Sequence, residues 1–263
     1  MYKIYPKTLF VGQNIVYLPS CQSTNEEAAH LLSRGNVPEG TIIVTDKQTQ
    51  GRGQRGNQWE AQAGQNLTFS LVLMPVFLSA TEQFWLNMAV SLAVQDALLP
   101  LLPNGRLTIK WPNDVYVDDK KLGGVLIENT LQGYALSHSV VGIGLNVNQI
   151  SFNVLTATSL LLESPAPVDY SLPGLLTALA GQLEKRYLQL RAGHRDELRA
   201  TYLQQLYRHQ EPHTYIADDQ LFTGTIVDLD ITGRLGILTK SVIRYFAFKE
   251  VAFVNEVKGE GLM

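Results

Sequence analysis

A single cysteine, Cys21, is all that this 263-residue chain provides. No intramolecular disulfide can form, which excludes a disulfide-stapled scaffold. With no histidine close to it in sequence, Cys21 reads as a small buried filler rather than a nucleophile. No apolar run reaches the length of a transmembrane helix. The opening stretch, MYKIYPKTLFVG, lacks the apolar core and cleavage site of a signal peptide. A cytoplasmic protein with no membrane partner is therefore expected. A net charge of −3 argues against a generally basic nucleic-acid surface. The five histidines, His30, His138, His194, His209 and His213, share no metal-ligand spacing. There is no GxSxG nucleophile motif and no phosphate loop ending in Gly-Lys-Ser or Gly-Lys-Thr.

What is present is a globular composition, 45% hydrophobic and 17% charged, long enough for one large domain and a small one. Residues 1–20 read as a strand-rich lead-in. A helix should follow: Ser23 and Glu26, and Thr24 and Glu27, have capping-box spacing, and Gly35 is a plausible stop. Residues 40–48 and 66–75 read as strands, and Glu82 to about Leu99 as a long helix. Strands follow at 106–112, 115–119, 121–129 and 133–148, with a polar hairpin turn at Asp118–Lys120. Two helices, about 171–191 and 194–209, are separated by Ala192-Gly193. From there, short β segments at close spacing suggest a small β-barrel. The expected class is α+β: a mixed sheet with packed helices over 1–208, and a small all-β domain over 209–263.

Four groups of residues carry candidate chemistry. Ser23-Thr24-Asn25 either caps a helix or presents short hydrogen-bonding side chains to a polar, uncharged head group. The run GRGQRGNQW, 51–59, follows a strand and fits an anion-binding loop, with glycines for close backbone approach and arginines for charge. A solvated surface turn is the alternative. Gly51, Gly53 and Gly56 satisfy GxGxxG literally, but no helix and no ribose-holding acid follow, so the dinucleotide reading fails. The third group is Lys110-Trp111-Pro112-Asn113-Asp114 with Lys121-Leu122-Gly123-Gly124. It flanks the hairpin with cations, and Asp114 is a candidate Mg2+ ligand. The bland reading is a hairpin with solvated charges. In the fourth, GIGLNVN at 142–148, alternate glycines weaken a strand, a cost tolerated where a ligand or another backbone must come close. A bulge is the alternative.

In this order the four groups resemble the biotin protein ligase family. The resemblance rests on Ser23-Thr24-Asn25, Gln48, Gly51-Arg52-Gly53 with Arg55-Gly56 and Trp59, Lys110 to Asp114, Lys121-Leu122 with Gly124, and Gly142 to Asn146. It implies that the C-terminal β domain is SH3-like. It also implies a two-step reaction: activation of biotin by ATP to biotinyl-5′-AMP, then transfer to a lysine of a biotin carboxyl carrier protein domain. Arg52, Arg55 and Lys121 would be the catalytic cations, with Mg2+ as partner charge. Ser23, Thr24, Asn25, Gln48, Arg52, Gly53, Gln54, Lys121 and Gly124 would bind biotin. Trp59, Lys110, Asn113 and Asn146 would line the nucleotide side, and Asp114 would hold the metal. The loop 51–60 is expected to order on ligand binding. Some members carry an N-terminal helix-turn-helix; Ser23 comes too early to leave room for one, so no DNA binding is expected. Gln54 and Asn57 stand where many members have cations. A homodimer stays open. A lipoate or octanoate ligase or transferase of the same architecture, and a non-catalytic biotin- or carrier-binding protein, are the rival readings.

Overall fold

The structure, a computed structural model, describes residues 4–54, 58–102, 107–165 and 168–254. A seven-stranded mixed sheet forms its centre. It comprises β1 (Ile15–Leu18), β2 (Ile42–Thr45), β3 (Leu67–Leu73), β4 (Leu107–Lys110), β5 (Asp114–Val117), β6 (Lys120–Gln132) and β7 (Ala135–Leu145), in the order β1-β2-β3-β7-β6-β5-β4. Among the described strand pairs of this sheet only β1–β2 is parallel.

Strand alternation sorts the two faces. Leu67, Phe69, Leu71 and Leu73 of β3 join the main core with Val141, Ile143 and Leu145 of β7. That face is covered by α2 (Gln83–Leu98), which packs on α4 (Leu172–Arg191) and α5 (Arg195–Gln204). The helical stretch Ala80–Leu101 is in fact long and apolar enough to cross a membrane, contrary to the sequence reading, and 67% of its apolar 18-residue segment is buried inside the protein. It is apolar all round because it is a core helix. On the opposite face α1 (Thr24–Ser33) covers only one part of the sheet, where Ala28 meets Ile43, Val72 and Val140. The rest of that face carries Thr68, Ser70, Gly142 and Gly144, and there the site lies.

Three elements depart from expectation. The lead-in is a strand only at β1, because its Leu9, Phe10 and Val11 N–H groups donate to the buried Glu184 carboxylate at 2.7–3.0 Å instead of to a ladder. The helix expected to reach 209 stops at Gln204. Residues 205–207 instead satisfy the outer edge of β4, with Ile109 N–H donating to Gln205 O and Tyr207 N–H to Ile109 O. A short helix, α3 (Leu160–Glu163), had no clear signal in the sequence.

The second sheet is antiparallel and five-stranded. It comprises β8 (Pro212–Ala217), β9 (Gln220–Leu229), β10 (Leu235–Thr239), β11 (Val242–Phe246) and β12 (Ala252–Phe253), in the order β11-β10-β9-β8-β12. Among the described pairings β11 and β12 are not joined, so the expected barrel is seen as a sheet with two ends. Its β9–β10 turn sits on the main body: Trp111 Nε1 donates to Gly233 O at 2.9 Å, and Phe84 lies against the Cα of Gly233, whose φ is +86°. The side of Arg199 ties the same region by donating to Leu229 O.

Candidate functional site

After β1 the chain continues beside the end of β2. Cys21 N–H donates to Lys47 O, Thr49 N–H to Cys21 O and Gln50 N–H to Gln22 O. This short ladder brings Ser23 and Thr24, at the start of α1, against Gln48. Cys21 is buried within it, as the filler reading expected, and burial pushes its thiol pKa up. The capping boxes do not form. Ser23 is the N-cap but makes no side-chain cap, and Gln48 Oε1 instead accepts from Thr24 N at 2.8 Å and lies 3.2 Å from Thr24 Oγ1. Behind them Ser70 Oγ is 2.8 Å from Thr24 Oγ1 and 2.6 Å from Asn25 Oδ1. The Asn25 amide nitrogen donates to Glu128 Oε2 at 2.7 Å.

The glycine loop is closed at its base. Arg52 bridges Gln58, and Trp59 N–H donates to Gly51 O at 3.0 Å. Gly51 must be glycine, since a Cβ there would run into the Trp59 carbonyl. Arg55, Gly56 and Asn57 lie outside the described residues. Arg52 is itself paired, 3.1 Å from Glu128 Oε2 and 3.5 Å from Glu26 Oε1.

The alternate glycines of β7 have a clear cause. A Cβ on Gly144 would lie 2.5 Å from the Trp59 indole, and one on Gly142 would overlap the Asn25 amide. The sequence reading expected a ligand or a backbone to come close; side chains do so instead. Gly142 and Gly144 are on one face, ~7 Å apart along the strand. Ser70 and Leu126 flank Gly142 in register; Thr68 and Gly124 flank Gly144, with Asp114 beyond Gly124. Asn25 thus lies over the first row and Trp59 over the second, where Lys121 pairs with Asp114. Trp59 Nε1 is buried and makes no hydrogen bond to a described residue.

The Lys110–Asp114 segment is a β4–β5 hairpin whose turn is held from three sides. Pro112 O accepts from Asn87 Nδ2 at 2.7 Å and Tyr202 OH at 2.6 Å, and Asn113 Nδ2 donates to Val125 O at 2.7 Å. Lys121, the second residue of β6, has its backbone clamped by Thr156 O and Thr158 N, and its Nζ is 2.8 Å from Asp114 Oδ1. Lys110 Nζ lies 4.7 Å from the Tyr116 ring centroid and 5.3 Å from that of Phe253. Burial, only partly offset by Asp114, lowers the Lys110 pKa from 10.5. A lysine with a lowered folded pKa costs stability while it is charged, and the cost is relieved as pH rises toward the unfolded value. Lys110→Met is thus expected to raise the thermal midpoint at neutral pH, with the gain narrowing as pH approaches 10.5. Calorimetry of both proteins across that range checks the sign.

These side chains line one cavity of about 480 Å³. It contains Ser23, Thr24, Asn25, Gln48, Arg52, Gly53, Gln54, Trp59, Lys110, Asn113, Asp114, Lys121 and Gly124. Asn146 does not line it; its buried amide donates to Thr158 O at 2.9 Å and holds the loop after β7. Among the described residues no three of His, Cys, Asp and Glu gather as metal ligands. Asp114, the expected Mg2+ ligand, is paired with Lys121, so the donor set does not fit an ion held by the protein alone. Sequence reasoning missed Thr68, which lines the cavity, and Ser70, which supports Thr24 and Asn25 from behind; only strand register brings them here. It also missed Phe248, Lys249, Val251, Ala252 and Phe253, by which the second sheet walls the same cavity. Nothing in their spacing signals it.

Known proteins resemble this chain in sequence and in fold. Residues 17–146 match the model of the biotin/lipoate A/B protein ligase family. The chain is 32% identical over 217 residues to a biotin–[acetyl-CoA-carboxylase] ligase of Mycobacterium tuberculosis, covering 81% of this chain and 79% of that protein. It is 36% identical over 187 residues to a bifunctional ligase/repressor BirA of Bacillus spizizenii, covering 69% of this chain. It spans 56% of that protein's length, and 43% of the Bacillus subtilis one. A biotin protein ligase from Aquifex aeolicus, solved in complex with biotin and ATP, superposes with a TM-score of 0.75 at 28% identity, covering 91% of this chain and 98% of the other. The chain belongs to the biotin/lipoate A/B protein ligase family and, within it, to the biotin protein ligases.

Proposed function

We propose that this protein activates biotin with ATP and transfers it to a lysine of a biotin carboxyl carrier protein domain. The observation that carries the reading is the cavity itself: neutral groups at Ser23, Thr24 and Gln48 and the cations Arg52, Lys110 and Lys121 line it together with Trp59. In the first step a biotin carboxylate oxygen attacks the α-phosphorus of ATP. The bond to the β-phosphate oxygen breaks, and pyrophosphate leaves. In the second, a carrier amine attacks the acyl carbon, and AMP and a proton are released.

The first step brings anions together and the second releases anionic AMP, so fixed cations favour both, and no covalent enzyme intermediate is needed. In this reading Ser23, Thr24, Asn25 and Gln48 hold the ureido ring. The 52–54 backbone, Gly124 and Lys121 hold the carboxylate and phosphate, and Trp59, Lys110 and Asn113 form the nucleotide side. Arg55 belongs to the same loop. Asn146 acts from behind, through the loop it ties. Magnesium enters with the triphosphate rather than on a protein-built site, and no step is derived through it. Residues 1–208 form the catalytic unit and 209–263 a smaller one that walls the nucleotide side. The setting is the cytoplasm.

The test is pyrophosphate release on mixing the protein with ATP and biotin, with lipoate as competitor. Release that depends on biotin supports ligation; binding without release means a sequestering protein, and preference for lipoate means the sister activity. Position 54 tunes the grip. Gln54 is neutral where many relatives have a cation, and charge-assisted bonds are roughly twice as strong as neutral ones. Gln54→Arg is expected to slow escape of biotinyl-5′-AMP ~10-fold, equivalent to about 1.4 kcal/mol. Dissociation rates at matched ionic strength measure it, and equal rates would assign retention to other groups.

A further inference from the structure

Between β11 and β12 the chain makes a tight turn at the cavity. Ala247 O accepts from Glu250 N–H at 3.0 Å, and the Glu250 carboxylate accepts from Ala247 N–H at 2.7 Å. Lys249 is therefore the third residue of a closed turn, and its φ is +76°. That is the position and the angle at which a type II turn uses glycine, because a side chain there is strained. Among the described non-glycine residues none has a larger positive φ. Asp118, Asp218, Asp219 and Lys240 also have positive φ, at 49–58°, but they join hairpin strands and do not line the cavity. Lys249 does.

The turn lies on the Lys110–Trp111 side. The Phe248 and Trp111 ring centroids are 6.0 Å apart, Val251 is buried, and Phe253 covers Lys110. Among the described residues Arg52, Lys110, Lys121 and Lys249 are the cations that line the cavity. Three of them are engaged. Arg52 pairs with Glu26 and Glu128, and Lys121 with Asp114. Lys110 packs on two rings and donates to Tyr116 OH at 3.2 Å. Lys249 is exposed and makes no ion pair with a described residue. Its neighbour Glu250 is turned back onto the backbone of the turn. A fourth cation is thus carried at the rim of the cavity, on a backbone conformation that costs stability.

We propose that Lys249 is a binding residue for the part of ATP that leaves, the β- and γ-phosphates. The proposal rests on the reading of this protein as an ATP-dependent biotin ligase. In that reading Lys121, half-buried and clamped on both sides of its backbone, serves the reacting α-phosphorus. The two outer phosphates extend from there toward solvent, because they depart as pyrophosphate, and an exposed cation on the nucleotide side meets them. The second sheet then contributes a charge to the site as well as a wall.

The experiment compares the parent with Lys249→Gly, Lys249→Met and Lys249→Arg. It measures pyrophosphate release with ATP, biotin and the carrier domain varied in turn, dissociation of preformed biotinyl-5′-AMP, and thermal unfolding. Lys249→Gly and Lys249→Met are each expected to raise KM for ATP about fivefold at low ionic strength, and less at high salt. KM for biotin and the dissociation rate of biotinyl-5′-AMP, which has no β- or γ-phosphate, should stay within about twofold of the parent. Lys249→Arg should keep most of the ATP affinity. Lys249→Gly should also melt at a higher temperature than the parent, since relief of left-handed strain outweighs the entropic cost of glycine. Higher stability together with weaker ATP binding is a combination that a purely structural turn residue does not give. An unchanged KM for ATP in the glycine and methionine variants overturns the proposal. Faster loss of biotinyl-5′-AMP also overturns it, by placing the lysine on the AMP half. A rise confined to KM for the carrier domain does so too, by making it a docking residue. A parent protein that releases no pyrophosphate with biotin and ATP is a separate outcome: it removes the ligase reading, and the proposal falls with it.

Discussion

Lys121→Ala is expected to release pyrophosphate at roughly a hundredth of the parent rate or less, a loss on the order of 3 kcal/mol of barrier stabilisation. The physical case begins with the backbone. Lys121 N–H donates to Thr156 O at 2.7 Å and its carbonyl accepts from Thr158 N at 2.9 Å, so the root of the side chain is fixed on both sides. Its ammonium rests 2.8 Å from Asp114 and 5.9 Å from the centre of the Trp59 ring. A charge held this way is already in place when negative charge builds at phosphorus, and no reorganisation is needed to use it. The fold loses much less. The Lys121 side chain is 34% exposed and that of Asp114 31%, and partly exposed ion pairs contribute about 0–1 kcal/mol. Turnover and stability should thus separate. The measurement is single-turnover pyrophosphate release alongside thermal unfolding, and a well-folded variant with near-parent release would remove Lys121 from the reaction.

Alanine at the two β7 glycines is the second large effect, and the two substitutions should fail differently. At Gly144 the new methyl meets the Trp59 indole at 2.5 Å, closer than real atoms approach. The ring is anchored to the loop base through Trp59 N–H and Gly51 O, so it swings outward rather than repacking. Gly144→Ala should fold and should raise KM for ATP about tenfold or more, with a smaller change for biotin. At Gly142 the methyl overlaps the Asn25 amide, which is held by Ser70, Glu128 and Leu126 O. Relief breaks buried hydrogen bonds as well as packing, so Gly142→Ala should cost about 2–3 kcal/mol of stability and raise KM for biotin. Kinetics with each substrate varied in turn, plus denaturant unfolding, tell the two apart. Matching profiles for the two variants would show that the glycines do not divide the cavity as the register implies.

Much of this was legible in the chain before folding. Helix 83–98, strands 67–73 and 107–110, and the hairpin turn at Asp118 follow from periodicity and turn chemistry, which are local. So does the choice of candidate residues at 23–25, 48–59, 110–114 and 121–124, whose types carry their chemistry with them. What stayed hidden depends on partners far away in sequence. The lead-in was misread because the Glu184 carboxylate, more than 170 residues distant, takes its N–H groups. The capping box at Ser23 was outcompeted by Gln48.

The amino-acid sequence alone determined which groups are available to the reaction: the cations, the small hydroxyls, the permissive glycines and the tryptophan. Tertiary structure alone decided their order in space. Antiparallel register set Ser70 beside Gly142 and Thr68 beside Gly144, and so turned alternate glycines into a floor for Asn25 and Trp59. Docking of the β9–β10 turn on Trp111 brought Phe253 over Lys110 and closed the cavity with a second sheet. The reason is physical. Propensity and period act over a few residues, whereas register and docking are set by burying apolar faces and satisfying buried polar groups across the whole chain.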